Sequence, residues 1–477
     1  MPVKWLPVVK TKSSLLFQWL VFEGHRKKYY QSSLNLHFGL QNQKIISDEI
    51  SIDLNEFIQL ESILTAKIKS NRNYFDIFIM SCYKQANILL KNSEEIRENK
   101  NLEQLNKFEL LLVYIKYQAT VLSLMPFLNT ILVIDVILKK ELKSVLDKDM
   151  KIINTKEQDL LLSKLIIPKK KSFFVEETEA VFKIAIKLQE NKKADIDKDI
   201  NAYLSKFAWM SSVAYLGEFQ TEQSVKNKIN NLLKENLPEK TSQIRQIKRE
   251  TQKEYKKAFE RIKQAGELVR LIKISQEFIY LQTYRLDIFF LAYFNAHSLF
   301  EEIGNRFNYK LDELIYLTGE EIINLFKNKK IDKKEINKRK ENYALILEND
   351  KWSLLAGEEV KQAVQLKVYE FEVKGMVANR GRARGEAKLI FDLEDMGKVK
   401  KGDIIISPMT RPELMSVILK ASGIITDFGG ILSHAAIVSR EFGIPCIVGT
   451  EKATRVFKDG DLIELNAYDG VARKISK

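Results

Sequence analysis

Residues 429–439 read GGILSHAAIVS: two glycines, a hydroxyl and an imidazole at the point where an extended run gives way to a helix. His434 is one of four histidines in 477 residues. Gly429 and Gly430 allow a sharp turn after Asp427, and Ser433 is a favoured N-cap, so His434 falls in the first helical turn. Backbone amides there point outward unpaired, and the helix adds roughly half a positive charge at that end. Such a pocket suits a doubly charged phosphoryl group on an imidazole nitrogen. An imidazole also attacks phosphorus at neutral pH without a separate base. On these residues alone, a histidine that merely caps or packs is the competing explanation.

The segments that must position this turn differ from the rest of the chain. Gly375 to Gly470 hold 12 of the 19 glycines. There, short β-branched runs (GEAKLIFD, GDIIIS, GIITD, CIVG, DLIELNA) alternate with helical patterns, an α/β signature with chemistry expected at strand ends. In TRPELMSVILKAS, Thr410 and Glu413 form a capping box and Pro412 sits in the first turn. Gly443 reads as a left-handed cap closing the histidine helix, followed by Pro445.

Residues 54–360 are glycine-poor and helical in period: Val181, Ile184, Ala185 and Leu188 form one stripe, and Tyr255, Phe259 and Ile262 another. Thr318 and Glu321 in LTGEEIINLF predict a capped helix start. Residues 10–53, with SLLFQWLVF and KIISDEISID, alternate more and suggest a small strand-bearing element at the N-terminus, 1–53. The apolar stretch at 120–138 approaches the roughly 20 residues that span a bilayer, but it contains Pro126, Asn129 and Asp135, so two buried helices meeting near Pro126 are expected and no membrane span. The N-terminus has prolines and polar breaks where an export signal needs an unbroken apolar core. Two cysteines, Cys82 and Cys446, fit a reducing cytoplasm and neither a disulfide framework nor a metal cluster. The net charge of +14 divides into +3 over residues 371–477 (17 basic, 14 acidic) and +11 before them. It is dispersed, which describes a solvated lysine-rich surface better than a nucleic-acid face.

GGILSHAAIVSREFGIPCIVGT, 429–450, resembles the signature of the swivelling phosphohistidine domain in PEP-utilising enzymes, the family of PEP synthase, pyruvate phosphate dikinase and rifampin phosphotransferase. The likeness includes the paired glycines, the hydroxyl before the histidine, small residues after it, Arg440 and the GIP-C-IVG run, and it extends over roughly 371–477. It implies that His434 is the phosphorylated histidine, that Ser433 orients it, and that Thr410 and Arg411, with Gly429 and Gly430, form the phosphate-binding loop. Arg380, Arg382 and Arg384 read as solvated, with a grip on a partner's phosphates as the alternative. Residues 284–326 resemble the helical segment preceding this domain in rifampin phosphotransferase and its relatives. Arg285 and His297 within it read as ion-paired or surface groups, with a substrate cavity as the alternative.

The resemblance gives a multidomain chain: an N-terminal element at 1–53, helical domains at 54–360, a linker at 361–370 and an α/β swivelling phosphohistidine domain at 371–477. Complete members of the family carry an ATP-grasp domain, and several a PEP-binding barrel. Neither is visible here: seven scattered glycines before residue 371 draw no P-loop. The expectation is therefore a cytoplasmic phosphotransferase component that relays a phosphoryl group through His434. It binds no cofactor itself, and ATP or PEP with Mg2+ enters through an ATP-grasp or PEP-binding partner chain. The acceptor is not legible. The alternative is a non-catalytic docking or regulatory protein that retains the swivelling domain.

Overall fold

A computed structural model describes the chain apart from residues 1–2, 4, 11, 47, 150–154, 192–193, 213, 235, 361–371, 392–393, 411–413, 431–432 and 476–477. Its first sheet is antiparallel, in the order β1-β3-β2-β4-β5, with β1 at Trp5–Lys10, β2 at Gln43–Ile46, β3 at Glu49–Asp53, β4 at Tyr343–Glu348 and β5 at Lys351–Ala356. KIISDEISID thus supplies a hairpin. Its partner β4 arrives some three hundred residues later, with Gln43 opposite Leu347 and Ile45 opposite Leu345. Asn349 and Asp350, both at positive φ (50° and 62°), make the tight turn between β4 and β5.

SLLFQWLVF, with its strand-like alternation, is a helix instead, Leu15–Gly24. Ser14 caps it by accepting the Phe17 amide, and every residue but Val21 is buried. A helix enclosed on all sides has no polar face to reveal its period, so the alternation misleads. At its end Gly24 meets the next layer so closely that a Cβ would lie 2.3 Å from Met125 Cβ.

The helical body packs Tyr74–Glu98, Lys107–Leu124, Pro126–Asp149 and Gly266–Asn295 side by side. The expected break at Pro126 is present: two helices meet there. The stretch long and apolar enough to cross a membrane lies in Lys107–Lys148, and 72% of its most apolar window is buried against the rest of the protein. An aromatic cluster of Phe17, Tyr215, Phe289, Tyr293 and Phe300 fills the centre, with the Tyr215 and Tyr293 rings stacked at 3.8 Å. Helix Phe173–Glu190 buries the predicted Val181, Ile184 and Ala185 in a separate small core with Ile200, Tyr203 and Ile229. The Thr318–Glu321 capping box forms as predicted, the hydroxyl accepting the Glu321 amide at 3.1 Å and the carboxylate the Thr318 amide at 2.8 Å.

The second sheet has eight strands in the order β6-β13-β12-β8-β9-β10-β11-β7. They are β6 (Glu372–Lys374), β7 (Met376–Asn379), β8 (Arg382–Leu389), β9 (Ile404–Ser407), β10 (Gly423–Thr426), β11 (Cys446–Val448), β12 (Leu462–Asn466) and β13 (Val471–Lys474). The four adjacent strands β8 to β11 run parallel, and the flanking pairs are antiparallel. β9 and β10 are buried throughout, because Ile405 and Ile424 face one core while Ile404, Ile406 and Ile425 face the other. A strand covered on both faces reads as an unbroken apolar run, which is why GDIIIS and GIITD stand out. An ion pair between Arg455 and Glu49, 3.5 Å apart, joins this α/β unit to the first sheet.

Candidate active site

The carboxyl ends of β9, β10 and β11 meet at one edge of the parallel sheet, where loops are free to diverge and build a site. β10 ends at Thr426 and leads through Asp427, Phe428, Gly429 and Gly430 towards helix His434–Glu441. Gly429 has φ +107°, a conformation side chains rarely adopt, and a Cβ on it would come within 2.8 Å of Ser433 Cβ. Gly430 differs from expectation: its φ lies outside that region, and an added Cβ would meet only the Met376 methyl at 3.9 Å. The turn therefore needs one glycine for its backbone, not two.

Ser433 has the extended backbone of an N-cap (φ −67°, ψ 161°), and its hydroxyl accepts the Ala436 amide at 3.4 Å. Its own amide donates to Gly430 O at 2.9 Å, folding the glycine loop back on the helix start. His434 is the first helical residue. Ala435 and Ala436 behind it are fully buried, and Cys446 Sγ lies 3.9 Å from Ala435 O, so this face has no room for larger side chains. Burial pushes the Cys446 thiol up to about 12, which favours its protonated form at neutral pH. Gly443 (φ +69°) closes the helix as predicted. Arg440 Nε donates to Ala378 O at 2.8 Å, and Asn379 Nδ2 to Ser439 O and Ile444 O at 3.0 and 2.9 Å, fastening the helix end to β7.

Thr410 is buried in the loop after β9. That loop runs beside the glycine turn, joined to it by the bond from Phe428 N to Pro408 O at 2.9 Å. Arg411 and Glu413 lie outside the described residues, as does the capping box that Glu413 would complete. Arg380, Arg382 and Arg384 are exposed, the last two on the solvent face of the sheet opposite Asn466 and Glu464.

Arg285 and His297 lie in the helical body, on helices Gly266–Asn295 and His297–Phe307. His297 Nδ1 pairs with Glu301 at 3.3 Å, as an ion-paired reading expects. Arg285 makes no ion pair among the described residues: it is buried, and its guanidinium donates to backbone oxygens of Gln282 and Leu128. Burial lowers its pKa to about 10.

Sequence reasoning missed the residues that hold the turn from below. Asp427 is 4% exposed, and its carboxylate accepts the Thr454 amide and hydroxyl and lies 3.3 Å from the Thr450 hydroxyl. Burial raises its pKa, and the bonds from Thr454 and the nearby Arg455 oppose that rise. Asp, Thr and Thr separated by 23 and 27 positions carry no local pattern that would have identified them.

Residues 399–470 match the family model described as the mobile domain of PEP-utilising enzymes. A probable phosphoenolpyruvate synthase of Methanothermobacter thermautotrophicus is 42% identical over 113 residues, which are 24% of this chain and 16% of that protein. The phosphoenolpyruvate synthase of Pyrococcus furiosus is 41% identical over 114 residues, 24% of this chain and 14% of its own. The rifampicin phosphotransferase of Bacillus cereus is 27% identical over 176 residues, 35% of this chain and 20% of its own. That last span exceeds residues 371–477 and so reaches into the helical body. The chain spans at most a fifth of the length of these curated relatives.

Proposed function

With residues 399–470 matching the mobile domain of PEP-utilising enzymes, we propose that this protein is a phosphotransferase component that relays a phosphoryl group through His434. The carrying observation is the histidine at the first position of a Ser433-capped helix, at the carboxyl edge of a parallel sheet. An imidazole nitrogen attacks the donor phosphorus, the P–O bond to the leaving group breaks, and a P–N bond forms. The outward amides of the first turn meet the phosphoryl oxygens, and the helix dipole favours their charge. Ser433 orients the histidine, while Thr410, Arg411, Gly429 and Gly430 line the phosphate. Transfer to an acceptor reverses the chemistry at a second site, reached by movement of the C-terminal domain; the linker expected at 361–370 lies outside the described residues. The donor is ATP or PEP with Mg2+, held by an ATP-grasp or PEP-binding partner chain in the cytoplasm.

The test is labelling of the full chain with the partner and γ-labelled ATP or labelled PEP. Acid-labile, base-stable label on His434, absent from His434→Ala, is expected. No label in a folded protein under any donor and partner combination refutes the proposal.

A second reading, a non-catalytic docking protein that retains this domain, draws on the large helical core from Leu15 to Leu345 that lies outside the matched residues 399–470. It predicts that His434→Ala leaves both partner binding and cellular function intact, whereas the relay loses function and keeps binding.

A further inference from the structure

A buried carboxylate is costly unless its oxygens are bonded, and both oxygens of Asp427 are. Oδ1 accepts the Thr454 amide at 3.0 Å and lies 3.3 Å from the Thr450 hydroxyl, and Oδ2 accepts the Thr454 hydroxyl. The backbone of the same residue is held on both sides: its amide donates to Ser407 O at 3.1 Å, and its carbonyl accepts Glu451 N at 2.9 Å. One residue thus ties together the ends of β9, β10 and β11. Two positions on, Gly429 packs so closely against Ser433 that an added Cβ would lie 2.8 Å from Ser433 Cβ, and Ser433 N donates to Gly430 O at 2.9 Å. A shift at Asp427 is therefore passed on to Ser433, and so to the first amides of the helix it caps, through these contacts of Gly429 and Gly430.

We propose that Asp427 is a positioning residue for phosphoryl transfer, clamping the β10 end to Thr450 and Thr454 so that the first turn of the His434 helix meets the phosphoryl group in register. The inference rests on His434 being the phosphoryl carrier. Asp427 acts through the loop and not by contact with the reacting atoms. Its function is acceptance of hydrogen bonds, which asparagine largely keeps: Oδ1 serves the Thr454 amide and the Thr450 hydroxyl, and Nδ2 donates to Thr454 Oγ1 once that hydroxyl rotates. Alanine leaves an amide and a hydroxyl without their partner.

Phosphoramidate tests this without any partner chain. The imidazole nitrogen attacks phosphorus, the bond from phosphorus to the amino group breaks, and ammonia leaves with a proton. The exposed His37 in the same full-length molecule is the internal standard. The readout is the rate of His434 phosphorylation relative to His37, by 31P NMR or peptide mass. Asp427→Ala is expected to slow His434 by about tenfold or more, since small misplacements of reacting groups carry large rate penalties, with Asp427→Asn within about twofold of the parent. Should Asp427→Ala fail to fold, the Thr450→Val, Thr454→Val double variant takes its place with the same expected loss. An unchanged ratio in the folded alanine or double valine variant overturns the proposal, as does an asparagine variant as slow as alanine. No His434 labelling in the parent overturns the carrier reading and this inference with it, an outcome distinct from a labelled parent with unaffected variants.

Discussion

At the scale of single residues, the turn before His434 makes the sharpest prediction. Gly429→Ala has to place a Cβ at φ +107° and within 2.8 Å of Ser433, so it should destabilise the C-terminal unit by about 1–3 kcal/mol. Gly430→Ala has room and should cost under about 1 kcal/mol. Thermal melts of the two variants measure the difference. The N-cap was legible because a serine before a helical pattern has a local reason to be there. The clamp below it was not, since nothing near Asp427 in the sequence points to Thr454. A second residue prediction concerns His25. Burial lowers its imidazole to about 4 from the usual 6.5, against the weaker upward pull of bonds to Gln43 at 2.8 Å and Met125 O at 3.1 Å. The unfolded chain then binds the proton more readily, so stability is full above pH 6.5 and declines as pH falls towards 4. The loss reaches about 3 kcal/mol. Urea titrations of the parent and His25→Gln at pH 7.5 and 4.5 should show that the parent's extra acid sensitivity disappears in the variant.

Among the elements, the Thr318–Glu321 helix start and the break at Pro126 were read correctly, and helix Leu15–Gly24 was not. Thr318 and Glu321 carry their helix start in four residues, and Thr318→Ala should cost about 1 kcal/mol in chemical denaturation. Pro126 likewise marks its own break. The central strands β9 and β10 announce themselves by consecutive isoleucines, which only a sheet covered on both faces can bury. Helix Leu15–Gly24 carries no such mark. Its character comes from neighbours such as Met125, far along the chain, and period alone cannot separate a fully enclosed helix from a strand. The same holds for Asn379, whose side-chain amide fastens the far end of the histidine helix.

For the whole molecule, the cores of the two units are composed of different residues: the large cluster runs from Leu15 to Leu345, while the two clusters flanking the second sheet run from Val373 to Ala472. Calorimetry should accordingly resolve separate transitions. Leu345→Ala, losing a buried side chain at about 2–5 kcal/mol, should move one of them and leave the other in place. Composition revealed this division, because glycine content changes where architecture changes. It could not reveal that β2 and β4 are neighbours. That pairing has a consequence for how the chain is made. Ile45 waits on the ribosome for Leu345, and until then β2 presents open hydrogen-bonding groups along one side. Premature termination anywhere between the two strands should therefore yield an aggregation-prone product and not a smaller stable protein.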